Sequence, residues 1–338
     1  MAQVQDRSAQ ASVEAPTLAN FWHPIAESRD VGEQPRRFYL LGVELVAFRD
    51  AEGKVSVFRD LCIHRGTALS LGWVTNGHIT CPYHGWEYDS TGECVKIPSL
   101  PPGSSIPRKA RAIAFQVEER HGLVWVAMDE PVAPIPTWPG DAINDPGYHM
   151  HISSHQIWQT SAGRACENFM DFSHFPFVHP NLLAPPDRTL VPELEIKETE
   201  YGLMYSYQTI EPESPSSPAG DLVTFEYHYH RPFSVHVKKI TSEGGVTIVS
   251  GLACPTKQKQ TDMFVVFVRN YSLDSPDSVF DHFSNRVNEQ DRRIVESQQP
   301  EEIPTDLREE LHLKVPDATG IALRRILGQI RAVAPYMP

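Results

Sequence analysis

Two short segments constrain this chain more than any other feature. "LCIHRG" carries Cys62 and His64, and "CPYHGW" carries Cys81 and His84, with sixteen residues between His64 and Cys81. Each segment offers one thiol and one imidazole and is closed by a glycine, Gly66 or Gly85. Two such loops on a β-rich scaffold can clasp a compact metal centre, and the glycines let backbone amides approach the sulfurs. Two cysteines and two histidines suit tetrahedral zinc. Zinc fingers, however, pair like ligands within a segment, whereas both segments here mix them. Mixed pairing suits a [2Fe–2S] cluster in which two cysteines hold one iron and two histidines the other. Zinc is the rival that these four residues leave open.

The remaining cysteines, Cys94, Cys166 and Cys254, bring the count to five. An odd, scattered set in a long chain makes no disulfide framework, so the three read as small buried apolar residues. Acids outnumber bases 43 to 30, for a net charge of −13. A phosphate backbone would be repelled, so nucleic acid is not an expected partner. No apolar run approaches the roughly 20 residues of a membrane span, and the polar first twenty residues lack a signal-peptide core. A tail over residues 1–19 and a cytoplasmic location are therefore expected.

At 338 residues the chain has room for about two domains. Strand patterns broken by turns run from Phe38 to Asp60 and recur in "AIAFQVEE" and "LVWVAMD", which predicts an all-β first domain over residues 20–138. The proline-rich "EPVAPIPTWPG" (130–140) reads as a linker. Beyond it, over 139–338, five strand-like stretches and two helical ones predict an antiparallel sheet with helices on one face, making the whole α+β. In "TFEYHYHRPF", Phe225, Tyr227 and Tyr229 alternate with Glu226, His228 and His230, so one face of that strand is a candidate cavity wall. His228 and His230 read as a solvated or hydrogen-bonded strand face, with a second metal site as the alternative, and His149, His151 and His155 read the same way.

"ENFMDFSHFPFVHP" (167–180) is the second constellation. Asn168, Asp171 and His174, spaced three apart, share roughly one helix face. His179 lies about 140° around a straight helix from His174, so the two rings meet one ion only if the helix ends or kinks, for which Pro176 supplies a reason. Glu167 reads as a solvated acid. Two imidazoles require a carboxylate to complete a facial triad for Fe(II). The helix beginning near Ser275 and Pro276 and ending before Pro300 offers Asp291 on the apolar stripe of Phe280, Phe283, Val287, Ile294 and Val295. A carboxylate facing a core is costly unless paired or bound to a metal.

Together "CIHRG…CPYHGWEYD", "ENFMDFSHFPFVHP" and "EQDRRIVESQQP" resemble the Rieske non-heme iron oxygenases. Cytochrome-complex Rieske proteins carry two further cysteines in these loops; Thr67 and Tyr83 stand there instead, which favours the oxygenase branch. The resemblance implies a Rieske domain followed by a helix-grip catalytic domain, with Cys62, His64, Cys81 and His84 on the cluster and His174, His179 and Asp291 on a mononuclear iron. It casts Asp171 as the electron bridge to a cluster histidine, His84, of a neighbouring subunit in a homotrimer, with Asn168 supporting the iron ligands. The reaction implied is O2-dependent monooxygenation of a small molecule, with electrons from NAD(P)H through a separate reductase or ferredoxin. No G-x-G-x-x-G motif offers the chain its own dinucleotide site. The short length resembles the α-only demethylases and hydroxylases of aromatic acids, methylxanthines and guanidinium alkaloids. A ring cis-dihydroxylase, or a Rieske electron carrier without oxygenase activity, are the alternatives.

Overall fold

The fold, taken from a computed structural model, is described for residues 15–330. The first fourteen residues of the expected tail lie outside this range. Residues 15–19 are not all loose, since a 3₁₀ turn at Leu18–Asn20 buries Ala19.

The N-terminal region is built from ten short strands: β1 (His23–Glu27), β2 (Arg36–Leu40), β3 (Val43–Arg49), β4 (Val55–Arg59), β5 (Trp73–Thr75), β6 (His78–Thr80), β7 (Glu87–Tyr88), β8 (Cys94–Lys96), β9 (Gln116–Arg120) and β10 (Leu123–Ala127). They form three antiparallel sheets, ordered β1-β10-β9, β2-β3-β4 and β5-β6-β7-β8. Leu41 and Gly42 turn the β2–β3 hairpin with φ of 50° and 75°, the left-handed pair that a tight two-residue turn requires. The loop after β4 carries Cys62 and His64, and the loop between β6 and β7 carries Cys81 and His84. A compact core of Val46, Phe48, Phe58, Ile79 and Tyr88 supports both loops and takes in the two cysteines.

The C-terminal region is a seven-stranded sheet of β11 (His149–Trp158), β12 (Lys197–Thr199), β13 (Gly202–Ile210), β14 (Leu222–His230), β15 (Ser234–Ile240), β16 (Val246–Lys257) and β17 (Gln260–Arg269). Its order is β11-β17-β16-β15-β14-β13-β12, antiparallel throughout. Four helices follow the chain around it: α1 (Ala162–Met170), α2 (Phe175–Val178), α3 (Ser278–Val295) and α4 (Ala318–Leu327). Both faces of the sheet are covered. Ile248, Leu252, Phe264 and Val266 pack with Leu40, Leu45 and Trp125 of the N-terminal region. The opposite face, with Phe225, Tyr227 and Tyr229 of β14, packs against α1 and α4 through Ala165, Met170, Leu323 and Leu327.

Several details depart from the sequence reading. The proline-rich stretch after β10 is no free linker, because Ala133, Ile135 and Trp138 are buried. α3 starts two residues later than the Ser275–Pro276 cap signal, with Asp277 at its N-cap. Its buried positions are Phe280, Ser284, Asn288, Asp291 and Val295, while Ile294 is half exposed. α4 was not anticipated, although Asp317 before it and Gly328 after it are recognisable boundary residues. Cys94, Cys166 and Cys254 are buried and unbridged, as expected. Among the described residues, no helix is long and apolar enough to cross a membrane.

Candidate active site

The first candidate centre is formed by the loops after β4 and β6. Cys62 and Cys81 are each 1% exposed. The His64 and His84 rings lie 4.6 Å apart between centroids, and His64 stacks on Trp86 at 4.5 Å with the planes 7° apart. Gly66 and Gly85, at φ of 72° and 70°, let each loop fold back so that their amides bond the carbonyls of Cys62 and Cys81, both at 2.9 Å. Burial pushes the Cys81 thiol up, opposed by hydrogen bonds from the Tyr83 and His84 amides. The Tyr88 hydroxyl lies 3.1 Å from Cys62 Sγ. His64 Nδ1 is buried with no hydrogen-bond partner among the described residues. Two buried sulfurs, Cys81 with nearby amide donors and Cys62 beside the Tyr88 hydroxyl, next to two imidazoles one of which has an unpaired nitrogen, fit a [2Fe–2S] group of mixed ligation.

The second centre joins residues 112 positions apart. α1 ends at Met170, and Asp171 is its C-cap in extended conformation. Asn168, Asp171 and His174 therefore do not share one helix. Asp171 instead closes the following turn: Oδ1 accepts from the Ser173 amide at 3.0 Å, and Oδ2 accepts from the His174 amide at 3.1 Å and from His174 Nδ1 at 2.7 Å. His174 then caps α2 at its start and His179 at its end. Pro176 sits in the first turn of α2, where its missing N–H has no partner to lose, so it begins a short helix rather than breaking a long one. That single turn brings the rings to 5.2 Å.

Asp291 of α3 meets both. His179 Nε2 lies 2.9 Å from Asp291 Oδ1, His174 Nε2 lies 3.3 Å from it, and Asn168 Nδ2 donates to the same oxygen at 3.1 Å. The three candidate ligand atoms all fall within 4.8 Å of one another. Outer hydrogen bonds set which ring nitrogen faces this point: Asp171 takes Nδ1 of His174, and Gln290 Oε1 takes Nδ1 of His179 at 2.8 Å. Both Nε2 atoms are thereby presented inward, the arrangement in which carboxylate or amide partners orient metal-binding imidazoles. His174 Nε2 is buried and makes no well-formed hydrogen bond. Burial disfavours charge on His174, but Asp171 and Asp291 outweigh it and raise the ring to about 9. Burial likewise opposes ionisation of Asp291, and hydrogen bonds from His174 and His179 overcome it. A divalent cation would take the place of that imidazolium proton, and two imidazoles with one carboxylate fit a facial-triad Fe(II) site.

This centre borders a cavity, with His174 and Asp291 on its wall. Its wall is largely aromatic and aliphatic, including Phe169, Phe225, Tyr227, Phe267 and Phe283. Phe225 and Tyr227 come from the strand face expected to line a cavity. Tyr227 Oη is buried without a hydrogen-bond partner among the described residues. On the same wall Glu211 and Lys239 form an ion pair of 2.7 Å with both side chains buried.

One polar reading is corrected by the structure, and two others are borne out as hydrogen-bonded histidines. Glu167 is no solvated acid: it accepts from Arg324 Nε at 2.8 Å and pairs with Arg164 at 3.4 Å, and Glu310 bonds both arginines. That network anchors α1, and with it Asn168. His149, His151 and His155 are each paired with a carboxylate, of Asp277, Asp281 and Asp262 respectively. His230 Nδ1 donates to the Arg231 carbonyl at 2.9 Å, and the residue is half-buried. Gln290, Glu211 and Lys239 escaped the sequence reading. Gln290 had one available signal, its place directly before an acid on the inner stripe of α3.

Comparison with known proteins agrees with this geometry. The Rieske [2Fe-2S] domain family matches residues 21–117, and the vanillate O-demethylase oxygenase C-terminal domain family matches residues 158–332. Methylxanthine N1-demethylase NdmA of Pseudomonas putida is 32% identical over 93% of this chain and 89% of its own length. Methylxanthine N3-demethylase NdmB of the same organism is 32% identical over 85% of this chain and 83% of its own. The solved structure of P. putida CBB5 NdmA with caffeine aligns with a TM-score of 0.83 at 32% identity, covering 92% of this chain and 90% of that one. A Rieske domain joined to this catalytic domain across nearly the whole chain has one meaning: the protein belongs to the Rieske non-heme iron oxygenases, in the terminal-oxygenase branch that includes monooxygenases and demethylases.

Proposed function

We propose that this chain is the terminal oxygenase of a demethylating or hydroxylating system acting on a small aromatic or heterocyclic substrate. The observation that carries it is the meeting of His174, His179 and Asp291 beside a largely apolar cavity whose wall includes His174 and Asp291. The relatives that span most of the chain, NdmA and NdmB, are named as N-demethylases, which favours methyl removal.

In this reading residues 20–138 are the Rieske domain and 139–338 the catalytic domain. Cys62, His64, Cys81 and His84 hold the cluster; His174, His179 and Asp291 hold Fe(II). When bound, the two centres supply stored electrons and the activation of O2. The chain's own residues do the rest. The aromatic wall binds the substrate and excludes water. Asp171 and Gln290 hold the two imidazoles with Nε2 inward, and Asn168 steadies Asp291. Asp171 keeps part of its carboxylate exposed, at 29%, and so can accept a hydrogen bond from His84 of a neighbouring subunit in a homotrimer. Electrons come from NAD(P)H through a separate reductase or ferredoxin, and the enzyme works in the cytoplasm. The overall balance inserts one oxygen atom into a methyl C–H bond and reduces the other to water with two electrons and two protons; the hydroxymethyl group then leaves as formaldehyde.

Iron analysis of the purified holoenzyme tests the assignment. About three irons per chain are expected, two in a [2Fe–2S] group and one at a facial triad; about two would leave only an electron carrier. Formaldehyde release with a surrogate reductase identifies demethylation, whereas a cis-diol product would move the enzyme to the dihydroxylases.

A further inference from the structure

The cavity wall contains one feature that folding does not require. Glu211, just after β13, and Lys239, on β15, are 3% and 7% exposed and paired within an otherwise largely apolar lining. Removing two charges from water is expensive, and well-packed apolar residues of similar volume in the place of such a pair are often neutral or stabilising. An ion pair kept in a ligand cavity therefore points to the ligand.

Its hydrogen bonds leave part of the pair free. Glu211 Oε2 accepts from Lys239 Nζ at 2.7 Å, Ser217 Oγ at 2.5 Å and Ser214 Oγ at 3.4 Å. Among the described residues no hydrogen bond ends on Oε1. Lys239 Nζ donates to Glu211 and to Ser214 Oγ at 3.2 Å, which uses two of its three protons. One acceptor and one donor remain side by side. The pair is also neutral as a unit, so it provides no net charge to balance a carboxylate or a guanidinium taken into the cavity.

We propose that Glu211 and Lys239 are the specificity-determining pair of this pocket. They select a neutral heterocycle that presents an N–H beside a carbonyl, as in a lactam or imide edge, over aromatic acids and cationic substrates. The N–H donates to Glu211 Oε1 and the carbonyl accepts from Lys239 Nζ. Burial holds the Lys239 ammonium below its ordinary range, opposed by Glu211, which accords with a donor kept out of bulk water. This inference rests on the oxygenase reading of the same cavity and narrows its substrate class.

Three probes test it on the holoenzyme by anaerobic equilibrium dialysis. Theobromine has an N–H between two carbonyls, caffeine carries a methyl group on that nitrogen, and 4-methoxybenzoate is an aromatic acid with an oxidisable methyl. The wild type should bind theobromine about tenfold or more tighter than caffeine, the scale of a hydrogen bond to a charged group, and 4-methoxybenzoate more weakly still. In the double variant Glu211→Leu/Lys239→Met, of similar volume, theobromine and caffeine should bind within about twofold of each other. A merely steric preference would persist in that variant and overturn the proposal. So would wild-type binding of caffeine or 4-methoxybenzoate as tight as that of theobromine, or of no probe at all, and these outcomes need no variant. Formaldehyde release from tightly bound 4-methoxybenzoate would sink this proposal and leave the demethylase reading intact. An iron content of two per chain would sink the demethylase reading itself.

Discussion

Gln290 does not line the cavity, yet its removal should be felt at the mononuclear centre. His179 is fully buried, and its Nδ1 bonds Gln290 Oε1 at 2.8 Å. Gln290→Leu keeps the volume and removes the acceptor. The buried Nδ1–H is then left unpaired, at a cost of about 1–3 kcal/mol. The ring escapes that cost by moving its proton to Nε2, 2.9 Å from Asp291 Oδ1, which is the atom a metal needs. Both routes weaken metal binding. Loss of such an orienting partner typically lowers affinity about 10–100-fold, or about 1.4–2.7 kcal/mol. The assay is anaerobic chelator competition for Fe(II) or Co(II) at the catalytic site. Visible absorption of the cluster serves as an internal control, because Gln290 lies outside the loops of Cys62, His64, Cys81 and His84. Affinity within twofold of the wild type would refute the claim that Gln290 fixes the His179 tautomer.

Other perturbations separate the remaining roles. Asp171→Asn retains an acceptor for His174 Nδ1, so both metal centres should stay occupied while turnover is lost; normal turnover would remove Asp171 from the electron path. His23 and His236 are buried neutral, burial being the first cause, with folded values lowered to about 4 and about 3. Between these values and the ordinary 6.5 the unfolded chain binds protons that the folded chain refuses, so stability falls as pH falls below about 6.5. Each should cost about 2 kcal/mol between pH 7.5 and pH 5, read as a lower urea midpoint that His23→Gln partly restores at pH 5 relative to pH 7.5. An equal midpoint shift in that variant would count against His23. Gly251→Ala would place a Cβ 2.5 Å from the Phe169 ring, which lines the cavity next to Asn168. Overpacking of that kind costs about 1–3 kcal/mol, so both the melting temperature and substrate affinity should drop; an unchanged melting temperature would show that Phe169 yields freely.

What could be read from the chain alone follows a simple division. Cys62 with His64, and Cys81 with His84, are legible because each pair belongs to one tight loop whose glycine is local chemistry. Asp291 is legible because an acid on an apolar helical stripe needs a partner, and that requirement holds whatever the partner is. The face of β14 carrying Phe225 and Tyr227 is legible from a period of two. Local rules also mislead at close range: Asn168, Asp171 and His174 look like one helix face, but Asp171 satisfies the amides of Ser173 and His174 and ends the helix instead.

Contacts between distant strands and helices obey no such period. Glu167 finds Arg324 157 residues away, His179 finds Gln290 111 away, and His149 finds Asp277 128 away. Glu211 and Lys239 meet only because β13, β14 and β15 lie in succession across one sheet. Composition and spacing by themselves determined which Cys, His and Asp residues are candidate metal ligands, the alternation of the pocket strand and the all-β to α+β plan, because those are set by residue type and repeat over a few positions. Only the tertiary structure decided which partners orient each imidazole, which charges brace α1 and which pair faces the cavity, because burial forces each polar group to find a partner while sheet order chooses which one.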